Sequence, residues 1–287
     1  MATLLHSEGI SRHGTETGIN PRFVIQMISL WKKTFGERDS EYEKSIFPFY
    51  LKYFLPALEI LYDTYHAIID SNEKYISGLQ SGLYFKKDIR GSINLDRSPE
   101  RDINKKVKDF FIHGKIFLDR WRESKVVYDE YIDMEKLIKT GDANFENIVN
   151  EFLSKDSTKR YVPIFNLVRE ARLKLLNGFK GQRDDVEHDP FMLDKYSLQE
   201  TQNGIIVHQP VIDGKPLMET LEFYYEGLLD FIEKCMAYFY GINCLAQRHL
   251  YKLYVRKDYS YPELLFKYNM HVGDVSHGYE ASPSLYD

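Results

Sequence analysis

The chain has 287 residues, 43% of them hydrophobic and 28% charged. This composition excludes collagen-like, mucin-like, disordered and disulfide-scaffold classes, and the length allows a sizeable core without covalent staples. A net charge of −5 excludes a general nucleic-acid coat, so contact with a polyanion has to come from a local patch.

Residues 1–18 are polar and carry three glycines, which predicts a loose tail. They show neither the basic nor the apolar region of a secretory signal, and no run of about 18 apolar residues follows anywhere. The sequence therefore reads as soluble and cytoplasmic, with no membrane contact. Asn20-Pro21 is a helix start, and Phe23, Met27, Leu30, Trp31 and Phe35 form a helical stripe that ends at Gly36. Residues 39–76 predict a long helical stretch with an aromatic face, kinked or split at Pro48 and Pro56. Gly78, Gly82, Gly91 and Asn94 predict a linker or long loop over 77–98.

Ser98-Pro99-Glu100 opens the next helix, carried by Val107, Phe110, Phe111, Gly114, Phe117, Leu118 and Trp121. Shorter helices are expected over roughly 124–139 and 143–154. Pro163 opens another, whose end is punctuated by Gly178 and Gly181. Residues 196–217 change character. Ile205-Ile206-Val207 and Val211-Ile212 are strand-like, and Asn203-Gly204 and Asp213-Gly214 are hairpin turn signals. A helical run is predicted from Glu219 to about Val255, apolar on more than one face and so buried. Cys235 and Cys244 share it, about 13 Å apart along the axis. A disulfide needs Cα atoms within about 7 Å, so both read as small buried hydrophobes. Residues from about 269 read as a tail.

One short stretch carries chemistry: Gly181-Gln182-Arg183-Asp184-Asp185-Val186-Glu187-His188-Asp189-Pro190. Arg183 is followed by the polar Asp184 and, after four intervening residues, by His188. This pattern, between an amphipathic helix and a long buried one, resembles the HEPN superfamily of helical-bundle domains. The resemblance spans about residues 100–255, and its motif fixes Arg183, Asp184 and His188.

The resemblance implies an all-α fold. Residues 19–98 would be N-terminal helices packed on a HEPN-like core over 99–256, with a small β hairpin inserted at 196–217 and a C-terminal extension over 257–287. It also implies a homodimer, and an endoribonuclease that needs no metal or other cofactor and cleaves RNA by attack of its own 2′-hydroxyl. His188 would then be the general acid/base, Arg183 the phosphate ligand, and Asp184 the group that orients them. The residue types suit that chemistry. Histidine titrates near neutral pH, and the arginine fork matches phosphate oxygens.

Three other readings stand beside this one. Arg183 and His188 can serve as ordinary helix-end and ion-pair residues among Asp184, Asp185, Glu187 and Asp189. The same acids with His188 and His208 are a candidate metal cluster, although no metal-ligand spacing is present. The bundle can also be a non-catalytic dimer that holds RNA or a nucleotide, or acts as a scaffold.

Charge placement is uneven. Residues 159–183 carry a net +6 and residues 86–125 a net +5, so the remainder of the chain carries −16. Arg169, Arg172 and Lys180 are the candidate phosphate contacts leading up to the motif, with RNA as the partner. His113 and His66 read as satisfied core or edge histidines, and Tyr224 and Tyr225 as core aromatics.

Overall fold

Apolar spacing of three and four residues dominates the chain, and helices follow from it. A computed structural model of the chain describes residues 23, 50–87, 89–90, 93–123, 134–155, 161–188, 193–202, 204–246, 249–255 and 268–274. The expected tail over 1–18, the Asn20 helix start, Gly36, Pro48 and residues 124–133 lie outside these residues. The described part is mostly helical, with small antiparallel hairpins.

The elements are α1 (Leu55–Gln80), β1 (Phe85–Lys87), β2 (Ile93–Leu95), α2 (Ser98–Glu123), α3 (Met134–Lys139), α4 (Asp142–Lys155), α5 (Val162–Ala171) and α6 (Asn177–His188). They continue with β3 (Ser197–Thr201), β4 (Gly204–His208), β5 (Val211–Ile212), β6 (Lys215–Pro216), α7 (Leu217–Ala246), β7 (His249–Val255) and β8 (Tyr268–Asp274). π-Helical turns occupy Tyr50–Phe54 and Arg172–Leu176.

Two compact units are present. One draws on described residues within 1–56, 120–174 and 229–287, the other on 57–119 and 175–228. In the second unit, Leu58, Leu61, Tyr65, Ile68, Tyr75 and Leu79 line the buried face of α1. They follow the helical repeat, with Asn72 as a buried polar member. Tyr65 stacks on Tyr225 of α7, with ring centroids 4.3 Å apart, and Phe111 of α2 meets Phe179 of α6 and Tyr224 of α7. These four helices therefore share one aromatic core, each such pair adding about 0.5–1.5 kcal/mol beyond area burial. Gly114 is required there, because a Cβ at that position would lie 2.6 Å from the Phe179 ring.

In the first unit, Trp121 of α2 packs edge-on to Phe231 of α7, and Phe152 meets Tyr161 and Phe165. Arg172 is buried, with a side chain 4% exposed. It donates to the carbonyls of Leu137, Ile138 and Thr140 and to Asp142 Oδ1, at 2.6–3.1 Å. One guanidinium thus closes the C-terminus of α3, whose last carbonyls lack helical partners, and ties it to the first residue of α4.

Several expectations are corrected. The region 77–98 is not simply a loop, because α1 runs on to Gln80 and β1 and β2 form a hairpin. Pro56 does not end the helical run, which passes from the π-helical turn Tyr50–Phe54 into α1 right beside that proline. Gly178 and Gly181 do not end a helix. The run from Val162 continues through the π turn to His188, and Gly178 leaves room for the Tyr224 hydroxyl, 2.8 Å from where a Cβ would sit. The 196–217 region holds two successive hairpins, β3–β4 and β5–β6. α7 ends at Ala246 rather than near Val255, because the alternation Tyr251, Leu253, Val255 suits a strand. That strand pairs with β8, which falls within the expected tail.

No helix among the described residues is long and apolar enough to cross a membrane. Tyr224, Tyr225 and Cys235 are buried. His113 Nδ1 lies 2.8 Å from Thr64 Oγ1, and the His66 ring packs tilted against Tyr62 with centroids 4.1 Å apart.

Candidate functional site

α6 ends where Pro190 follows. Pro190 disfavours helical backbone at the residue before it, so His188 is the last helical residue. Arg183 and His188 are five positions apart on one uninterrupted helix, which separates them by about 140° around the axis and 7.5 Å along it. The His188 side chain and Asp189 lie outside the described residues.

Arg183 has a side chain 19% exposed, and acids of its own helix engage it. Its Nη1 lies 2.9 Å from Asp184 Oδ1 and donates to Glu187 Oε2 at 2.7 Å. The other oxygen of Glu187 accepts from Lys115 Nζ of α2 at 2.9 Å. Glu187 is thus shared by two cations. Hydrogen bonds from Lys115, and then from Arg183, hold its carboxyl below the usual range. The i,i+4 pair Arg183–Glu187 was readable from spacing. Lys115 is 72 positions from Glu187, and nothing in the sequence links them.

The β5–β6 turn docks against the same helix. Asp213 adopts φ 52° and Gly214 φ 78°, the left-handed pair a two-residue hairpin needs. Asp213 Oδ1 accepts from Gln182 Nε2 at 2.9 Å, and Oδ2 accepts from the Tyr224 hydroxyl at 2.8 Å. Burial, then the Asp213 contact, pushes the Tyr224 phenol well above its ordinary value. One turn aspartate therefore fixes the neighbourhood of Arg183. Sequence reading gave the turn but not the clamp.

The candidate phosphate contacts differ in what surrounds them. Arg169, in the first unit, makes a bidentate pair with Glu146 at 2.6 and 2.7 Å and also donates to Asn166. The Glu146 carboxyl is correspondingly lowered, chiefly by that hydrogen bond. Arg172 is the buried clamp between α3 and α4. Lys180, in the second unit, is exposed on α6. Of the candidate metal ligands, Asp185 is exposed, and His208 Nε2 lies 3.1 Å from Gln199 Oε1 across β3–β4. Among the described residues, no group of three or more His, Cys, Asp or Glu is placed to hold a metal ion. The structure thus brings Arg183 and Asp184 together, adds Glu187 and Lys115 to them, and commits Arg169 and Arg172 to carboxylates and carbonyls.

Compared with protein-family models, curated proteins and solved structures, the chain gives no significant match to any of the three.

Proposed function

We propose that this chain is a non-catalytic HEPN-like protein, a helical bundle that acts as a homodimer and holds RNA or a nucleotide rather than cleaving it. The observation that carries this reading is the engagement of Arg183 by Asp184 and Glu187. An arginine that stabilises a cleavage transition state has to offer its donors to phosphate oxygens. Here two carboxylates already neutralise Nη1 of Arg183, one of them also held by Lys115, so a phosphate at that nitrogen would have to displace them. The bidentate Glu146 pair at Arg169 and the carbonyl cluster at Arg172 point the same way.

A metal-independent endoribonuclease is the second reading. It is favoured by the 2.9 Å contact of Asp184 with Arg183, which is the orienting role the HEPN resemblance gives that residue. Replacing Arg183 by Ala separates the two. The non-catalytic reading expects RNA to stay intact with both wild type and variant. The nuclease reading expects cleavage by wild type and a loss of about 100-fold or more in the variant, the usual cost of removing one transition-state donor.

A further inference from the structure

The Arg183 site leaves unexplained the second basic stretch, residues 86–125, most of which folds as α2. Arg101, Lys105, Lys108, Ile112 and Lys115 recur at spacings of four, three, four and three, so they form one stripe along α2, about 21 Å long at 1.5 Å per residue. The opposite face of the helix is fully committed to the core through Ile103, Val107, Phe110, Phe111 and Phe117. Lys115 is paired with Glu187, but Arg101, Lys105 and Lys108 carry no ion pair among the described residues, and Arg101 and Lys105 are exposed. The nearby acids are accounted for as follows. Asp102 is bound by Lys106 and Glu100 by Arg97, and Asp109 lies to one side of the stripe. On the other side, the segment 193–196 is pinned to α2 by Leu193 N–H to Asn104 Oδ1 and by Tyr196 N–H to Glu100 Oε1, both 3.1 Å. That segment carries exposed Asp194 and Lys195, which offset each other.

We propose that this stripe is the chain's contact for the phosphate backbone of a nucleic-acid strand, which the proposed function takes to be RNA. Three cations with no ion pair among the described residues, within about 10 Å of helix, suit a polymer in which every nucleotide carries a phosphate. A lipid surface would need an apolar wedge beside the cations. The apolar side of α2 is buried, and only Ile112 and Ile116 add aliphatic surface near the stripe. An acidic protein partner would need an aromatic or apolar anchor at the centre of the contact, and the stripe between Arg101 and Lys108 offers none. The contact reads charge and spacing and so is indifferent to base sequence.

The proposal deepens the binding role given above and is tested by fluorescence anisotropy with a labelled 20-nucleotide single-stranded RNA, titrated at several salt concentrations. Three phosphate contacts predict a log–log salt slope near −2, which is about a 20-fold weakening between 50 and 200 mM. The Arg101→Glu, Lys105→Glu, Lys108→Glu triple variant should bind at least about 10-fold more weakly, and the triple Gln variant should fall between it and wild type. A control with the same charge change, Lys74→Glu, Lys155→Glu, Lys174→Glu, should bind as wild type does. The proposal is overturned if wild type does not bind the RNA, or if control and stripe variants lose affinity equally. Capture of phosphatidylserine vesicles through these residues, in the absence of RNA binding, also overturns it. A denaturing gel of the same probe keeps the two claims apart. Fragmented RNA refutes the non-catalytic reading while leaving the stripe standing.

Discussion

Replacing Arg172 by Met tests whether this cation is architecture or ligand. Its guanidinium donates to the carbonyls of Leu137 and Thr140 at 2.7 and 2.6 Å, with a weaker bond to Ile138 at 3.1 Å. Hydrogen bonds from a charged donor contribute about 1.5–3 kcal/mol each, so the two short ones give about 3–6 kcal/mol. The Asp142 carboxylate is 67% exposed, and its pairing adds at most about 1 kcal/mol after solvent screening. Methionine fills part of the volume and removes the cost of burying a charge, so the net loss should be about 3 kcal/mol. With a urea slope near 3 kcal/mol/M, the midpoint should fall by about 1 M. Arg172→Lys keeps the charge, but a single ammonium cannot reach all four acceptors, and its midpoint should lie between those of wild type and Met. Urea titration followed by far-UV circular dichroism measures this. A midpoint shift below about 0.3 M for Met would refute the clamp, since by the same slope it is under about 1 kcal/mol. RNA affinity that falls while stability holds would make Arg172 a phosphate ligand instead.

Gly114→Ala should destabilise by about 1–3 kcal/mol despite alanine's better helix propensity. The new Cβ lands 2.6 Å from a Phe179 ring that is itself buried, and a thermal melt measures the loss. Glu187 contributes stability through its lowered carboxyl. That contribution is present above the ordinary glutamate pKa of about 4.3 and is lost as pH falls through the lower folded value. Urea midpoints measured from pH 3 to pH 7 should therefore fall less steeply on acidification in Glu187→Gln than in wild type, and parallel curves would exclude the Lys115–Glu187–Arg183 link. Asp213→Gly keeps the left-handed turn but removes both acceptors, so hydrogen exchange should speed up in β5–β6 and at the start of α7. Unchanged protection would show that the clamp to Gln182 and Tyr224 contributes nothing.

What the sequence made legible was local. Ser98-Pro99-Glu100 marked the start of α2 to the residue, and Asp213-Gly214 marked a hairpin turn, because caps and turns are chemistry of neighbouring residues. The helix predicted over 143–154 is found at Asp142–Lys155 for the same reason. Gly178 misled because glycine has two uses. It can end a helix, or it can admit a neighbour, and only the approach of the Tyr224 hydroxyl shows which. β7 is hard to part from α7 in the sequence because its alternation, Tyr251, Leu253 and Val255, spans only a few residues and adjoins a long helical run. At the candidate site, Arg183 and Asp184 could be singled out from spacing, but the acids that occupy Arg169 and Arg172 lie 23 and 30 positions away. A run of cations in sequence therefore gave the charge of the 159–183 stretch and not its availability. The α2 stripe, by contrast, was present in the sequence as the net charge of 86–125, and became a surface once the helical face was fixed.

The measurement that bears most directly on the central claim is a single-turnover experiment. A trace of 5′-labelled single-stranded RNA is incubated with excess wild-type protein or the His188→Ala variant, and each sample is run on both a native and a denaturing gel. The account predicts RNA that is shifted on the native gel and full-length on the denaturing gel, identically for the two proteins. RNA cleaved by wild type and cleaved about 100-fold or more slowly by His188→Ala, the share of one acid/base group, would contradict it.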